Sequence, residues 1–81
     1  MMSNNLKQDL SIGHTLKILR KNAGYTQEQA SAQMEILGLD MTPAILAKIE
    51  QGRYSIKISV LLAMKQIYRV ASFDEFFHDL F

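Results

Sequence analysis

The side chains able to do acid–base or ligand chemistry are few in this chain and poorly placed for it. Its 81 residues hold two histidines, His14 and His78, and no cysteine. The two imidazoles fall on unrelated helical stretches, where surface positions are expected, and no ligand cluster forms around a carboxylate pair. Without a thiol there is no disulfide framework, no thiolate metal site and no sulfur nucleophile. A phosphate-cradling glycine loop is missing too: Gly24, Gly38 and Gly52 each follow an amphipathic stretch, the place for a residue that accepts left-handed geometry beyond a helix end. These observations predict no catalytic residue, no metal, no cofactor and no enzymatic activity.

What the chain does offer is an uneven charge. Net charge is only +1. Residues 41–69 nevertheless carry Lys48, Arg53, Lys57, Lys65 and Arg69 against the single acid Glu50, whereas residues 70–81 carry Asp74, Glu75 and Asp79 with no lysine or arginine. The basic half is where a polyanion would sit, and the chemistry available there is phosphate contact.

Such contacts need a scaffold, and length limits it to one compact domain. We expect an N-terminal tail over residues 1–9 and a single domain over residues 10–81. An apolar fraction of 48% is enough to build a core in a chain this small. No apolar run approaches the ~20 residues of a membrane span, and the first ten residues are too polar for a signal peptide, so a cytoplasmic protein without membrane contact is expected.

Periodicity predicts five helices and no strand. The first runs from about Asp9 or Ser11 to Asn22, with Ile12, Leu16, Leu19 and Ala23 on one face. The second opens at Thr26, where Gln29 completes a capping box, buries Ala30, Met34 and Leu37, and stops at Gly38. The third has Thr42 as its cap and Pro43 in the first turn, with Ile45, Leu46 and Ile49 as its buried stripe. The fourth, about Ile58–Tyr68, is apolar on most sides, which predicts a central position. Ser72 and Glu75 form a second capping box for a short last helix bearing Phe73, Phe76, Phe77 and Leu80.

Three stretches, LKILRKNAGYTQEQA (residues 16–30), TPAILAKIEQG (42–52) and VASFDEFF (70–77), resemble the phage-repressor and Cro type helix-turn-helix, also called the xenobiotic response element family. The likeness covers about residues 10–78. It implies an all-α, five-helix compact bundle acting as a transcriptional regulator in a bacterial or phage setting, with double-stranded DNA as partner and helix three (about 43–51) in the major groove. By position it places Gln27 on a phosphate, with Arg53, Tyr54 and Lys57 on the backbone of the same half-site. Thr42, Pro43, Ala44, Ala47 and Lys48 fall at or near the groove. It further implies that Arg20 and Glu50 form an internal salt bridge that fixes helix three rather than touching DNA.

Two departures stand out. The distance from Thr26 to Thr42 is about five residues longer than in the commonest members, with the extra length around Glu35–Asp40. The usual polar base-reading positions hold Pro43, Ala44, Ile45 and Ala47, which suit thymine methyl groups but make no bidentate hydrogen bond. An apolar helix three, together with the aromatic tail Phe76, Phe77, Leu80 and Phe81, raises a rival reading, a helix-turn-helix fold used for protein contact as an antitoxin or regulator partner. Phe77, Leu80 and Phe81 are also candidates for a homodimer contact.

Overall fold

The computed structural model describes residues 5–6 and 12–80; the expected helix start at Asp9 or Ser11 and the side chains of His78, Leu80 and Phe81 lie outside the described residues. The elements follow in the order β1 (Asn5–Leu6), α1 (Gly13–Asn22), α2 (Gln27–Ile36), α3 (Pro43–Glu50), β2 (Ile56–Lys57), α4 (Ile58–Ile67) and a 3-10 helix (Phe73–Leu80).

The helix boundaries follow local chemistry. Thr26 accepts from the Gln29 amide at 3.1 Å while Gln29 Oε1 accepts from the Thr26 amide at 3.0 Å, closing a capping box on α2. Thr42 Oγ1 accepts from the Ile45 amide at 3.1 Å, and Pro43 occupies the first turn of α3 at no hydrogen-bond cost. Arg69 stands just past α4 at φ 56°, where the other helix ends use glycine. Residues 37–42 connect α2 to α3, and Met41 anchors that connection by burying almost completely.

The core gathers one apolar stripe from each element: Leu16 from α1, Ala30 and Met34 from α2, Leu46 and Ile49 from α3, Met64 from α4 and Phe76 from the 3-10 helix. Helix α1 packs on α3 and the 3-10 helix, while α2 packs on α3 and α4. Two sequence expectations are corrected here. Four α-helices are present among the described residues, because the last segment winds as a 3-10 helix. The segment is held to the core by Phe76, which is fully buried. The Glu75 carboxylate accepts from the Ala71 and Ser72 amides, but Ser72 Oγ accepts from Asp74 rather than Glu75, so the expected box is only half made.

The second correction concerns β structure and α4. Asn5 and Leu6 pair antiparallel with Lys57 and Ile56, a two-residue ladder too short to leave an alternating pattern in the sequence. Helix α4 is not enclosed on all sides. Val60, Leu61, Ala63 and Met64 face inward, but Ile58 is 42% exposed and Leu62 53% exposed.

Gly13 marks the tightest approach between helices. A Cβ at this position would overlap the Glu50 carbonyl oxygen and lie 2.8 Å from that of Ile49. Both atoms are backbone and cannot rotate aside. Gly13→Ala is therefore expected to destabilise the fold by about 2 kcal/mol, the overlap outweighing the gain in helix propensity. Urea unfolding reads this directly; a midpoint equal to or above that of the parent chain would show that α1 and α3 separate freely.

Candidate nucleic-acid interface

Helix α3 is held by one face only. Leu46, Ile49 and Glu50 are buried, Ile45 is half-buried, and Thr42, Pro43, Ala44, Lys48 and Gln51 are exposed. Ala47 is half-buried, so it borders the outward strip rather than standing in it. The helix thus offers a smooth outward surface of small side chains ending in a lysine.

The anchoring of α3 runs through an ion pair. Arg20 Nε donates to Glu50 Oε2 at 2.7 Å and Arg20 Nη2 to Glu50 Oε1 at 3.1 Å, a two-pronged contact between α1 and α3. The two side chains are 5% and 2% exposed. Arg20 Nη1 also donates to the Tyr25 carbonyl oxygen at 2.7 Å, tying the pair to the α1–α2 turn. The hydrogen bond to Glu50 raises the Arg20 pKa further above its ordinary value, against the opposing effect of burial. Tyr68 lines the same region of the core, its ring 6.3 Å from that of Tyr25. Its hydroxyl is buried without a partner among the described residues, and burial, reinforced by the Glu50 charge, pushes its pKa well up.

Gln27, expected on a phosphate, reaches the ion pair. Its side-chain Nε2 donates to Glu50 Oε1 at 3.1 Å, which uses one of its two N–H groups. The reason is stoichiometric: Arg20 leaves acceptor capacity on Oε1, and Gln27, in the first turn of α2, is the donor within reach. Of the backbone amides at the start of α2, those of Thr26 and Gln29 are taken up by the capping box, and those of Gln27 and Glu28 have no partner within the helix.

Around these amides lies a shallow depression of about 590 Å³, lined by Lys17, Arg20, Thr26, Gln27, Glu28 and Pro43. It brings the starts of α2 and α3 together. Lys17 was missed by the sequence reading; three residues before Arg20, it shares that residue's side of α1, which is the signal that would have found it. Glu28 is the one carboxylate in the lining and works against an anion there.

Beyond α3, the Lys48 ammonium lies 6.0 Å from the Tyr54 ring centroid, a cation–π contact that holds both at the end of the helix. Arg53 follows, its Nη1 donating to Gln51 Oε1 at 3.3 Å, and Lys57 is exposed in β2. Lys48, Arg53, Tyr54 and Lys57 therefore follow one another from the end of α3 to the start of α4, while Thr42, Pro43 and Ala44 sit at the opposite end of α3 and Gln27 reaches Glu50, its last residue.

Over residues 11–75 the chain matches the helix-turn-helix domain. The chain belongs to that family, among the Cro and repressor type regulators. No curated protein and no solved structure matches it. Helices α2 and α3, with residues 37–42 between them, lie within the matched span. Among the described residues no helix is long and apolar enough to cross a membrane.

Proposed function

We propose that this helix-turn-helix domain binds double-stranded DNA in a sequence-specific way, as a transcriptional regulator of repressor type with α3 in the major groove. One observation carries the reading: α3 is fixed by an apolar stripe and a buried ion pair on its inner side and is bare on its outer side. A helix that enters a groove needs that division. Phosphate contacts then come from Lys17, Lys48, Arg53, Tyr54 and Lys57, and from the start of α2, where the Gln27 side chain and the Gln27 and Glu28 amides lie. Pro43, Ala44 and Ala47 supply only apolar contacts, so discrimination rests on thymine methyl groups and on the shape of the duplex.

The reading is tested by salt-dependent binding to duplex DNA. Arg53→Ala and Lys57→Ala are expected to weaken binding to every sequence alike and to reduce the log–log salt slope by about one unit per lost phosphate contact. An unchanged slope in both variants removes them from the DNA backbone.

One domain of this size covers a single half-site, so two copies are proposed on a pair of half-sites about 34–36 Å apart. Phe77, expected at the contact, packs edge-on against Phe76 with ring centroids 6.5 Å apart and lies against the domain's own core, so it is a poor contact surface. A second reading, contact with a protein partner, is favoured by Ile36 and Leu37, which stand 75% and 45% exposed at the end of α2. The substitution that separates the two is treated in the Discussion.

A further inference from the structure

We propose that the cleft between the α2–α3 connection and the start of α4 binds a short apolar peptide, held by its two charged ends. The cleft encloses about 710 Å³, within the range of small-molecule sites. Its walls are largely apolar. Leu39 and Met41 come from the connection, Ile45 and Ile49 from the flank of α3, and Val60 from the first turn of α4. Met41, Ile49 and Val60 are buried, whereas Leu39 and Ile45 are only half-covered by the domain itself, which leaves apolar surface for a ligand to cover. One wall, residues 38–41, overlaps the stretch around Glu35–Asp40 by which this chain exceeds the commonest helix-turn-helix members. The cleft is therefore built in part by what sets this chain apart.

Charge selects the occupant. Asp40 and Lys57 both line the cleft, both are exposed, and neither has an ion-pair partner among the described residues. Asp40 comes from the connection and Lys57 from β2, and they do not pair with each other. An apolar acid is repelled by Asp40, and an apolar amine by Lys57. A molecule with an ammonium at one end, a carboxylate at the other and an apolar body between them suits both. One apolar side chain cannot cover residues drawn from three elements, but several in a row do, and an extended tripeptide spans about 10 Å. Ser55 and Ser59, exposed on the same rim, offer hydroxyls to the peptide's own N–H and C=O groups. Lys57 is also a phosphate contact in the proposed DNA-bound state, so peptide and duplex compete for it. That regulatory half rests on the DNA reading, and it requires each ligand to weaken the other by the same factor.

The test is calorimetric titration of the full chain with trileucine, without DNA, up to about 2 mM peptide. One site with a Kd below about 1 mM is expected. Acetylating the amino end should weaken binding to the parent chain about threefold or more and leave binding to Asp40→Asn unchanged. Amidating the carboxyl end should do the same, with Lys57→Gln as the insensitive variant. Both side chains are already in water, so the far-UV circular dichroism of the variants should match the parent's. No binding of trileucine overturns the proposal. Equal affinity for free leucine overturns it too, and so does binding that neither blocked end disturbs. With trileucine saturating, duplex affinity should fall about threefold or more, and an unchanged duplex affinity overturns the competition. A chain that takes up trileucine but binds no duplex counts against the DNA reading alone, whereas one that binds duplex and ignores trileucine counts against this cleft alone.

Discussion

Arg20→Ala and Glu50→Ala are each expected to cost about 3–5 kcal/mol, because each strands the other's charge in a nearly dry site. With Arg20 gone, Glu50 keeps only the Gln27 amide; with Glu50 gone, Arg20 keeps only the Tyr25 carbonyl. The total stability of a domain of 81 residues is about 4–12 kcal/mol on the usual per-residue scale, so either loss removes a large part of it. A fall in melting temperature of roughly 15 °C or more follows. The double variant removes both charges and should lose much less than the sum of the two, since what is costly is an unpaired charge rather than the absence of a pair. Thermal melts of the three variants check this. Small and strictly additive losses would show that the pair contributes nothing beyond its two separate side chains.

Ala44→Glu is expected to leave the fold standing and to weaken duplex binding a hundredfold or more, the size set by a like charge driven against DNA at several kcal/mol. The fold is safe for two reasons. Ala44 is exposed, and it lies in the first turn of α3, where a carboxylate is favoured by the helix dipole by about 0.3–1 kcal/mol. The same substitution at Ala47 is a less clean probe, since that residue is half-buried and a longer side chain there disturbs packing as well. Circular dichroism confirms folding and fluorescence anisotropy on labelled duplex gives the affinity. If Ala44→Glu folds and binds duplex as well as the parent chain, α3 is not in the groove. Contact with a protein partner then becomes the function to pursue.

Much of the fold and part of the candidate site is written locally. Thr26 with Gln29, and Thr42 with Pro43, are caps made between residues three or fewer apart, and they appear where their spacing predicts them. The inward stripes of α1 and α3 are equally local, since one helical period decides which side chains share a face. The outward strip of α3 follows as the complement of its stripe, although Ala47 turns out half-covered.

Relations across long distances in the chain could not be had this way. Arg20 and Glu50 are 30 residues apart, and only likeness to a family puts them together in advance. The inward turn of Gln27 depends on the second oxygen of that same carboxylate, 23 residues away. Gly13 carries no turn signal at all; its lack of a side chain matters because the end of α3 passes over it.

The sequence by itself determined the caps that open α2 and α3, the apolar stripes of α1 and α3, and where the positive charge lies. Those properties arise from side chains within a turn or two of one another. The sequence did not determine the start of α1, at Gly13 rather than Asp9 or Ser11, nor the exposure of Leu37, expected on the buried face of α2. Only the tertiary structure decided that Phe73–Leu80 winds as a 3-10 helix around Phe76, and that Asn5–Leu6 pairs with Ile56–Lys57. It also decided that α4 shows Ile58 and Leu62 to solvent. Periodicity counts how much of a helix is apolar. How many neighbours arrive to cover it is set by the packing of the other helices, and on α4 they cover one side and leave the other bare.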